Sequence, residues 1–137
     1  MMHKSKLKIL LVEDNKIEII KLKKSISNEL QNYVLTIANN GLEALSCVEK
    51  DIPSMILLDL NMPDMNGIEF LTIIKEKKDL KHIPVIILTT SSNNDDISEC
   101  YRLGIAGYVV KPLKFEDYEL KIQAIMNYWN FNEFLKI

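Results

Sequence analysis

The residues best suited to chemistry stand at the ends of short apolar runs. Glu13 and Asp14 follow the first run, and Asp59 follows the third. Thr89 and Lys111 follow the fourth and the fifth. Three carboxylates at one edge of a protein repel one another unless a cation lies among them. Because these ligand atoms are all oxygens, the pattern predicts a hard divalent ion, Mg²⁺, with Mn²⁺ as a substitute.

Asp59 is the predicted nucleophile, because it ends an apolar run and a carboxylate can form an aspartyl-phosphate. Attack on phosphorus brings an anion towards anionic oxygens, so the site needs positive charge and hydrogen-bond donors. The metal ion, the Lys111 ammonium group and the Thr89 hydroxyl are predicted to supply them. Each residue alone has an ordinary explanation, such as a helix cap or a surface lysine. Their convergence on one edge indicates a site.

The apolar runs themselves predict the elements that bring these residues together. Four of the five runs are nearly continuous in Val, Ile and Leu, which is typical of strands buried on both faces of a parallel sheet. The gaps between runs are long enough for crossover helices. Ligands of such sheets bind outside the carboxyl ends of the strands. We therefore predict a three-layer (βα)5 α/β fold with strands at 8–12, 34–38, 55–58, 85–88 and 106–110.

Two of the gaps carry apolar residues at helical spacing. The first stripe is Ile19, Leu22, Ile26 and Leu30. The second stripe is Tyr118, Ile122, Ile125 and Trp129. Shorter helices are predicted after Asn40-Gly41, after Asn66-Gly67 and before Gly104. We expect one domain over residues 1–137, with a core at about 6–130 and an aromatic tail at 128–137.

Composition excludes several classes of function. The net charge of -2 offers no general attraction to nucleic acid or to anionic lipid, so neither is an expected partner. The apolar stretch at 7–12 is too short for a signal peptide or a membrane span, which favours a cytoplasmic location. Cys47 and Cys100 have no paired spacing and are expected to be reduced core residues.

Four motifs resemble the receiver domain of two-component response regulators. In chain order they are LLVEDN, LLDLNMPDMNG, VIILTTSS and GYVVKP, and they cover nearly the whole chain. The resemblance implies a flavodoxin-like, CheY-like doubly wound sheet with strand order 2-1-3-4-5. It also implies that Asp59 receives a phosphoryl group from a sensor histidine kinase or phosphotransfer protein. Such a protein is not an enzyme with a separate substrate, although it catalyses its own phosphorylation and slow dephosphorylation.

The same resemblance implies individual roles. The metal would be positioned by Glu13, Asp14, Asp59 and the backbone carbonyl of Asn61. Thr89 and Lys111 would contact the phosphoryl oxygens. Tyr108 falls at the family's switch aromatic, although a tyrosine that merely packs the last strand is the alternative. The Lys111-Pro112 peptide bond is a candidate for the cis form by analogy. The acid pair is Glu-Asp where the family also uses Asp-Asp, which we expect to alter metal affinity without abolishing binding.

The output of the protein is expected to be a contact with a downstream protein. Residues 111–137 are enough for one helix and a tail, but not for a DNA-binding or catalytic domain. The tail is crowded with the aromatic residues Tyr128, Trp129, Phe131 and Phe134. Either it folds onto its own helix, or it supports a homodimer or partner docking. The Tyr128-Trp129 extension and the LTTSS run look like those of the stand-alone receivers that serve phytochrome-type kinases.

Three rival hypotheses are weaker. A phosphatase of the haloacid-dehalogenase type would need an acid two residues after the nucleophile, where this chain has Asn61. A flavodoxin-like cofactor binder would need a phosphate-binding loop after the first strand, where Glu13 and Asp14 would repel the phosphate. A receiver that signals without phosphate is disfavoured by the complete set of site residues.

Overall fold

Five parallel strands form the middle layer of the computed structural model, which describes residues 6–27 and 33–135. The strands are β1 (Leu7–Val12), β2 (Tyr33–Ala38), β3 (Met55–Leu58), β4 (Val85–Thr89) and β5 (Gly107–Val110). Their order in the sheet is β2-β1-β3-β4-β5, as predicted. Each observed strand agrees with its predicted run to within one residue at either end.

In the described residues, five helices connect or follow the strands. They are α1 (Lys16–Ser25), α2 (Gly41–Lys50), α3 (Gly67–Glu76), α4 (Asn94–Arg102) and α5 (Phe115–Asn130). The predicted stripe positions Leu22, Ile122 and Tyr118 are buried, whereas Leu30 lies outside the described residues. Within the described ranges, no helix combines the length and apolar composition that crossing a bilayer requires.

The sheet is covered on both faces, which explains its continuous apolar strands. Successive side chains of a strand point to opposite faces. Leu10 and Leu58 therefore belong to the cluster under α2 and α3, whereas Ile9 and Leu57 belong to the cluster under α1 and α5. The edge strand β2 is different, because its burial alternates and Val34 is 45% exposed.

Backbone hydrogen bonds continue past the strands and fix the residues at the carboxyl edge. The amide of Asp59 donates to Val12 O at 3.0 Å, and the amide of Lys111 donates to Thr89 O at 2.7 Å. Asparagine side chains then cap the first four helices immediately beyond this edge, at Asn15, Asn40, Asn66 and Asn93. Such caps satisfy helical N–H groups and hold the connecting loops close to the sheet.

The structure corrects one expectation and bears on another. The Lys111-Pro112 bond is trans, and no peptide bond is cis within residues 6–27 and 33–135. The expectation of a cis bond was therefore wrong, which follows the ordinary preference for trans of about 0.5–1 kcal/mol before proline. Cys47 and Cys100 are free thiols, with Cys100 buried and Cys47 half-buried.

Candidate metal and phosphoacceptor site

Three carboxylates meet at the carboxyl edge of the sheet. Glu13, Asp14 and Asp59 each place one oxygen within 4.8 Å of the others. They meet because β1 and β3 are parallel neighbours, with Val12 paired to Leu58 immediately before the acidic residues. The predicted metal ligands Glu13, Asp14 and Asp59 are thus brought together. An all-oxygen set of this size suits a hard divalent ion such as Mg²⁺ or Mn²⁺.

The three acids differ in their exposure. Glu13 is 3% exposed and Asp59 is 8% exposed, whereas Asp14 is open to solvent. Burial penalises the charged form of a carboxylate, and a neighbouring carboxylate adds to that penalty. A cation that entered beside Asp14 would relieve both effects at the two buried acids.

Glu13 also forms a buried ion pair with Lys111. The Lys111 Nζ donates to Glu13 Oε1 at 2.6 Å, and the two side chains are 5% and 3% exposed. The other carboxylate oxygen accepts the amide of Asn15 at 3.2 Å. Both oxygens of Glu13 therefore already have a partner.

The pKa values of this pair reflect burial and mutual attraction. The pKa of Glu13 is raised to about 7. Burial is the main cause and the charge of Asp59 adds to it, and together they outweigh the hydrogen bond from Lys111, which lowers the pKa. Burial alone would lower the pKa of Lys111, but the hydrogen bond and charge of Glu13 outweigh it, and that pKa is raised. Lys111 is therefore an ammonium ion at neutral pH, while Glu13 holds a proton more readily than an exposed glutamate.

Glu18 is a member of this cluster that the sequence analysis missed. Its Oε2 lies 3.6 Å from Lys111 Nζ, and that oxygen is buried without a hydrogen-bond partner. Its Oε1 lies 3.4 Å from Lys21 Nζ. An acidic residue in the first turn of a helix is common because it favours the helix dipole, so its type gave no signal. The helical spacing from the Asn15 cap was the cue that could have placed it near the edge.

Thr89 and Tyr108 are joined through the loop that follows β4. Thr89 is fully buried, and its hydroxyl lies 3.5 Å from the amide of Ser91. The Tyr108 hydroxyl donates to Ser91 O at 2.8 Å, and the Ser91 hydroxyl donates to Asp96 at 2.7 Å. Burial raises the pKa of the half-buried Tyr108, so its phenol stays protonated and remains a donor. The two predicted switch residues therefore contact the same loop residue.

The loop after Asp59 is held by close backbone contacts. The amide of Gly67 donates to Leu60 O at 3.0 Å. A Cβ at Gly67 would collide with Asp59 O and lie 2.8 Å from Leu60 Cα, so this close approach requires glycine. Asn61 lies in this loop with an exposed side chain. The loop ends at a capping box in which Asn66 and Glu69 satisfy each other's backbone N–H groups.

Comparisons with known proteins identify the class of this domain. The family model of the response regulator receiver domain matches residues 9–123. The chain therefore belongs to the response regulator receiver domain family. Domains of this family serve two-component phosphorelay systems, interact with histidine kinases and downstream targets, and do not turn over a separate substrate.

Individual relatives are similar over nearly their whole length. Response regulator Rcp1 of Synechocystis sp. is 36% identical over 128 residues, which cover 88% of this chain and 87% of Rcp1. The crystal structure of the phosphorylated cyanobacterial phytochrome response regulator RcpA matches with a TM-score of 0.90 at 31% identity, covering 96% of this chain and 100% of that one. The Mn²⁺-bound form of Rcp1 matches with a TM-score of 0.88 at 34% identity, covering 96% and 99%. These matches confirm the predicted family and fold.

Proposed function

We propose that this protein is a phosphorylation switch in which Asp59 accepts a phosphoryl group in the presence of a divalent ion. The observation that carries the proposal is the cluster of Glu13, Asp14 and Asp59, whose oxygens lie within 4.8 Å, beside the buried ammonium of Lys111. Few structural needs explain three acids and a buried lysine at one sheet edge. A site that brings a phosphoryl group to a carboxylate needs this combination.

In the proposed reaction a carboxylate oxygen of Asp59 attacks phosphorus and forms the new O–P bond. The bond between phosphorus and the donor's leaving group breaks, and the leaving group departs with its electron pair. Lys111 and the Thr89 hydroxyl would stabilise the charge on the transferred phosphoryl oxygens. Mg²⁺ or Mn²⁺, held by Glu13, Asp14, Asp59 and the backbone carbonyl of Asn61, would neutralise charge between the carboxylates and the incoming group. The Mn²⁺-bound structure of Rcp1 supports this choice of ion.

The conformational output is proposed to pass through Thr89, Ser91 and Tyr108. Movement of Thr89 towards a phosphoryl group would displace the Ser91 backbone, which holds the Tyr108 hydroxyl at 2.8 Å. A change in the packing of that half-buried ring would alter the adjacent surface that a partner reads. This is a two-state element biased by a local charge, as phosphorylation switches require. The alternative in which Tyr108 only packs β5 predicts no such response.

The proposed phosphodonor is a sensor histidine kinase or a phosphotransfer protein. The similarity to RcpA, a phytochrome response regulator, and to Rcp1 supports a kinase of the phytochrome type. The receiver would then signal through a downstream protein and lose its phosphoryl group slowly by its own chemistry. We propose that residues 1–137 act as one receiver domain. A cytoplasmic location, and the lack of nucleic-acid and membrane partners, stay predictions.

The aromatic tail supports both interpretations made from the sequence, for different residues. Trp129 packs against the core beneath α5, and Phe134 folds back onto it with ring centroids 6.1 Å apart. Tyr128 and Phe131 face outward and are 61% and 86% exposed. We propose a homodimer through these outward residues. Tyr128→Ser combined with Phe131→Ser should lower the mass measured by light scattering, whereas Ile17→Ser, an exposed apolar position on α1, should not. An unchanged mass in both proteins would refute the dimer.

Phosphorylation of Asp59 can be tested with a small phosphodonor. Wild-type protein incubated with acetyl phosphate and Mg²⁺ should gain the mass of one phosphoryl group, and EDTA should suppress the gain. Asp59→Asn should abolish it. Asp64→Asn is the matched control, because Asp64 lies exposed in the same loop at φ 63°, a conformation that asparagine tolerates. Equal labelling of wild type and Asp59→Asn would show that the acceptor is misassigned.

A further inference from the structure

The ammonium group of Lys111 lies near two carboxylates, Glu13 and Glu18, but it forms a hydrogen bond with Glu13 alone of the two. Glu13 Oε1 accepts a hydrogen bond from Lys111 Nζ at 2.6 Å. Glu18 Oε2 lies 3.6 Å from the same nitrogen and is buried without a hydrogen-bond partner. A buried carboxylate oxygen without a partner is rare, because desolvation penalises it unless a donor is near. A small rotation of the Lys111 side chain would give that oxygen its missing bond.

Glu13 is a shared partner of the Lys111 ammonium and of the predicted divalent ion. One oxygen accepts Lys111 and the other accepts the amide of Asn15, yet Glu13 also belongs to the carboxylate cluster that suits a divalent ion. A divalent ion bound by Glu13 would repel the Lys111 ammonium and weaken its hydrogen bond to the shared carboxylate. A buried ammonium left without a partner is strongly unfavourable. The metal site is therefore in competition with the resting position of Lys111.

We propose that Glu18 is a positioning residue that receives the Lys111 ammonium when Glu13 engages a divalent ion. This inference rests on the proposed metal-dependent function and names a residue that regulates it. Glu18 acts on the ion through Lys111, not by direct coordination. This exchange of partners would let Glu13 bind the ion while Lys111 keeps a carboxylate partner. It would also leave the ammonium in the same site, where it can contact a phosphoryl group on Asp59.

Lys21 contacts the other oxygen of the Glu18 carboxylate and so orients it. The Lys21 ammonium lies 3.4 Å from Glu18 Oε1 and 4.7 Å above the centre of the Tyr118 ring. The attraction between a cation and an aromatic face favours this position. Glu18 Oε1 is thereby engaged from the side of α1, and Oε2 is left facing Lys111. The two oxygens of Glu18 therefore face different lysines, Oε1 facing Lys21 and Oε2 facing Lys111.

The test is the affinity of the unphosphorylated protein for Mg²⁺, measured by isothermal titration calorimetry. Glu18→Gln should weaken binding about tenfold, because a hydrogen bond to a charged group changes an equilibrium by that order. Glu43→Gln is the matched control, since Glu43 is an exposed acid in the first turn of α2 and its substitution removes the same charge. It should change the dissociation constant by less than about twofold. Equal affinities of wild type and Glu18→Gln would overturn the proposal.

A double-mutant cycle separates positioning from a general charge effect. In a Lys111→Met background, Glu18→Gln should cause no further loss of Mg²⁺ affinity, because the shared partner is absent. The same loss in both backgrounds would overturn the proposal. Melting in EDTA checks that each variant is folded, and Glu18→Ala replaces the glutamine variant should it fold poorly. If wild type binds Mg²⁺ and labels on Asp59 while the cycle shows no coupling, the role of Glu18 fails and the proposed function stands. Absence of Mg²⁺ binding to wild type would instead refute the proposed function.

Discussion

Raising the pH in EDTA from about 5 to about 8 is expected to destabilise this protein through Glu13. Its carboxyl group is 3% exposed, and burial raises its pKa from 4.5 to about 7. The folded protein thus binds this proton more tightly than the unfolded chain does. The resulting stabilisation is complete below the unfolded pKa, and it is lost as the pH rises through the folded value.

The size of the effect follows from the shift. A pKa difference between 4.5 and about 7 corresponds to about 3 kcal/mol, at 1.36 kcal/mol for each unit. That is a substantial part of the roughly 5–15 kcal/mol by which a small domain is stable. The raised pKa of its partner Lys111 depends in part on the hydrogen bond and charge of Glu13, so the two shifts describe one interacting pair and are counted once.

Urea denaturation in EDTA, followed by far-UV circular dichroism, measures this effect directly. The free energy of unfolding of wild type relative to Glu13→Gln should fall by roughly 2–3 kcal/mol between about pH 5 and about pH 8, because part of the full shift is already lost at pH 5. The glutamine variant keeps the shape of the side chain and cannot titrate. Saturating Mg²⁺ at the higher pH should restore stability, since an ion that binds the folded state stabilises it. Parallel pH profiles for the two proteins would refute the assigned pKa shift.

Two further predictions concern the backbone around the acceptor. Gly67→Ala should destabilise by about 1–3 kcal/mol and slow labelling by acetyl phosphate, because its Cβ would displace Asp59 O. Gly107→Ala is the control, since its Cβ meets only the Ile86 side chain at 4.0 Å; equal urea midpoints for both variants would contradict the steric argument. Asn66→Ala should lower the free energy of unfolding, measured by urea denaturation, by about 1 kcal/mol because it removes the α3 cap. Asn66→Asp should keep most of the stability that this cap supplies, since aspartate is also a good cap. An unchanged midpoint in Asn66→Ala would show that this cap is dispensable.

The strands and the positions at their ends could be predicted because burial leaves a clear record in a parallel sheet. A strand covered on both faces, such as β3, must be apolar throughout, so the first polar residue after it, Asp59, marks the edge. The acids that follow β1 and β3 then meet once the strands are neighbours. The prediction was least informative at β2, whose exposed positions, including Val34 and Thr36, follow from its place at the edge of the sheet.

The partners of charged side chains could not be predicted in the same way. Sequence spacing placed Lys111 at the edge, but its contact with Glu13 depends on side-chain rotamers and on the competition among nearby acids. Glu18 was missed because the type and helix position of such a residue have an ordinary explanation. The trans form of the bond before Pro112 likewise depends on local packing, which neither composition nor spacing encodes.

The direction of the proposed switch follows from the position of the Lys111 ammonium among three carboxylates. The Lys111 ammonium feels the charges of Glu13, Asp59 and Glu18, yet it hydrogen-bonds only one of these carboxylates, at 2.6 Å. A divalent ion at Glu13 would weaken that bond, and a phosphoryl group on Asp59 would add a competing negative charge near the ammonium. Both changes would favour release of the ammonium from Glu13. Because the Lys111 amide is bonded to Thr89 O at 2.7 Å, the two predicted phosphoryl contacts are joined through the backbone. Ion binding and phosphorylation should therefore weaken the same hydrogen bond between Lys111 and Glu13.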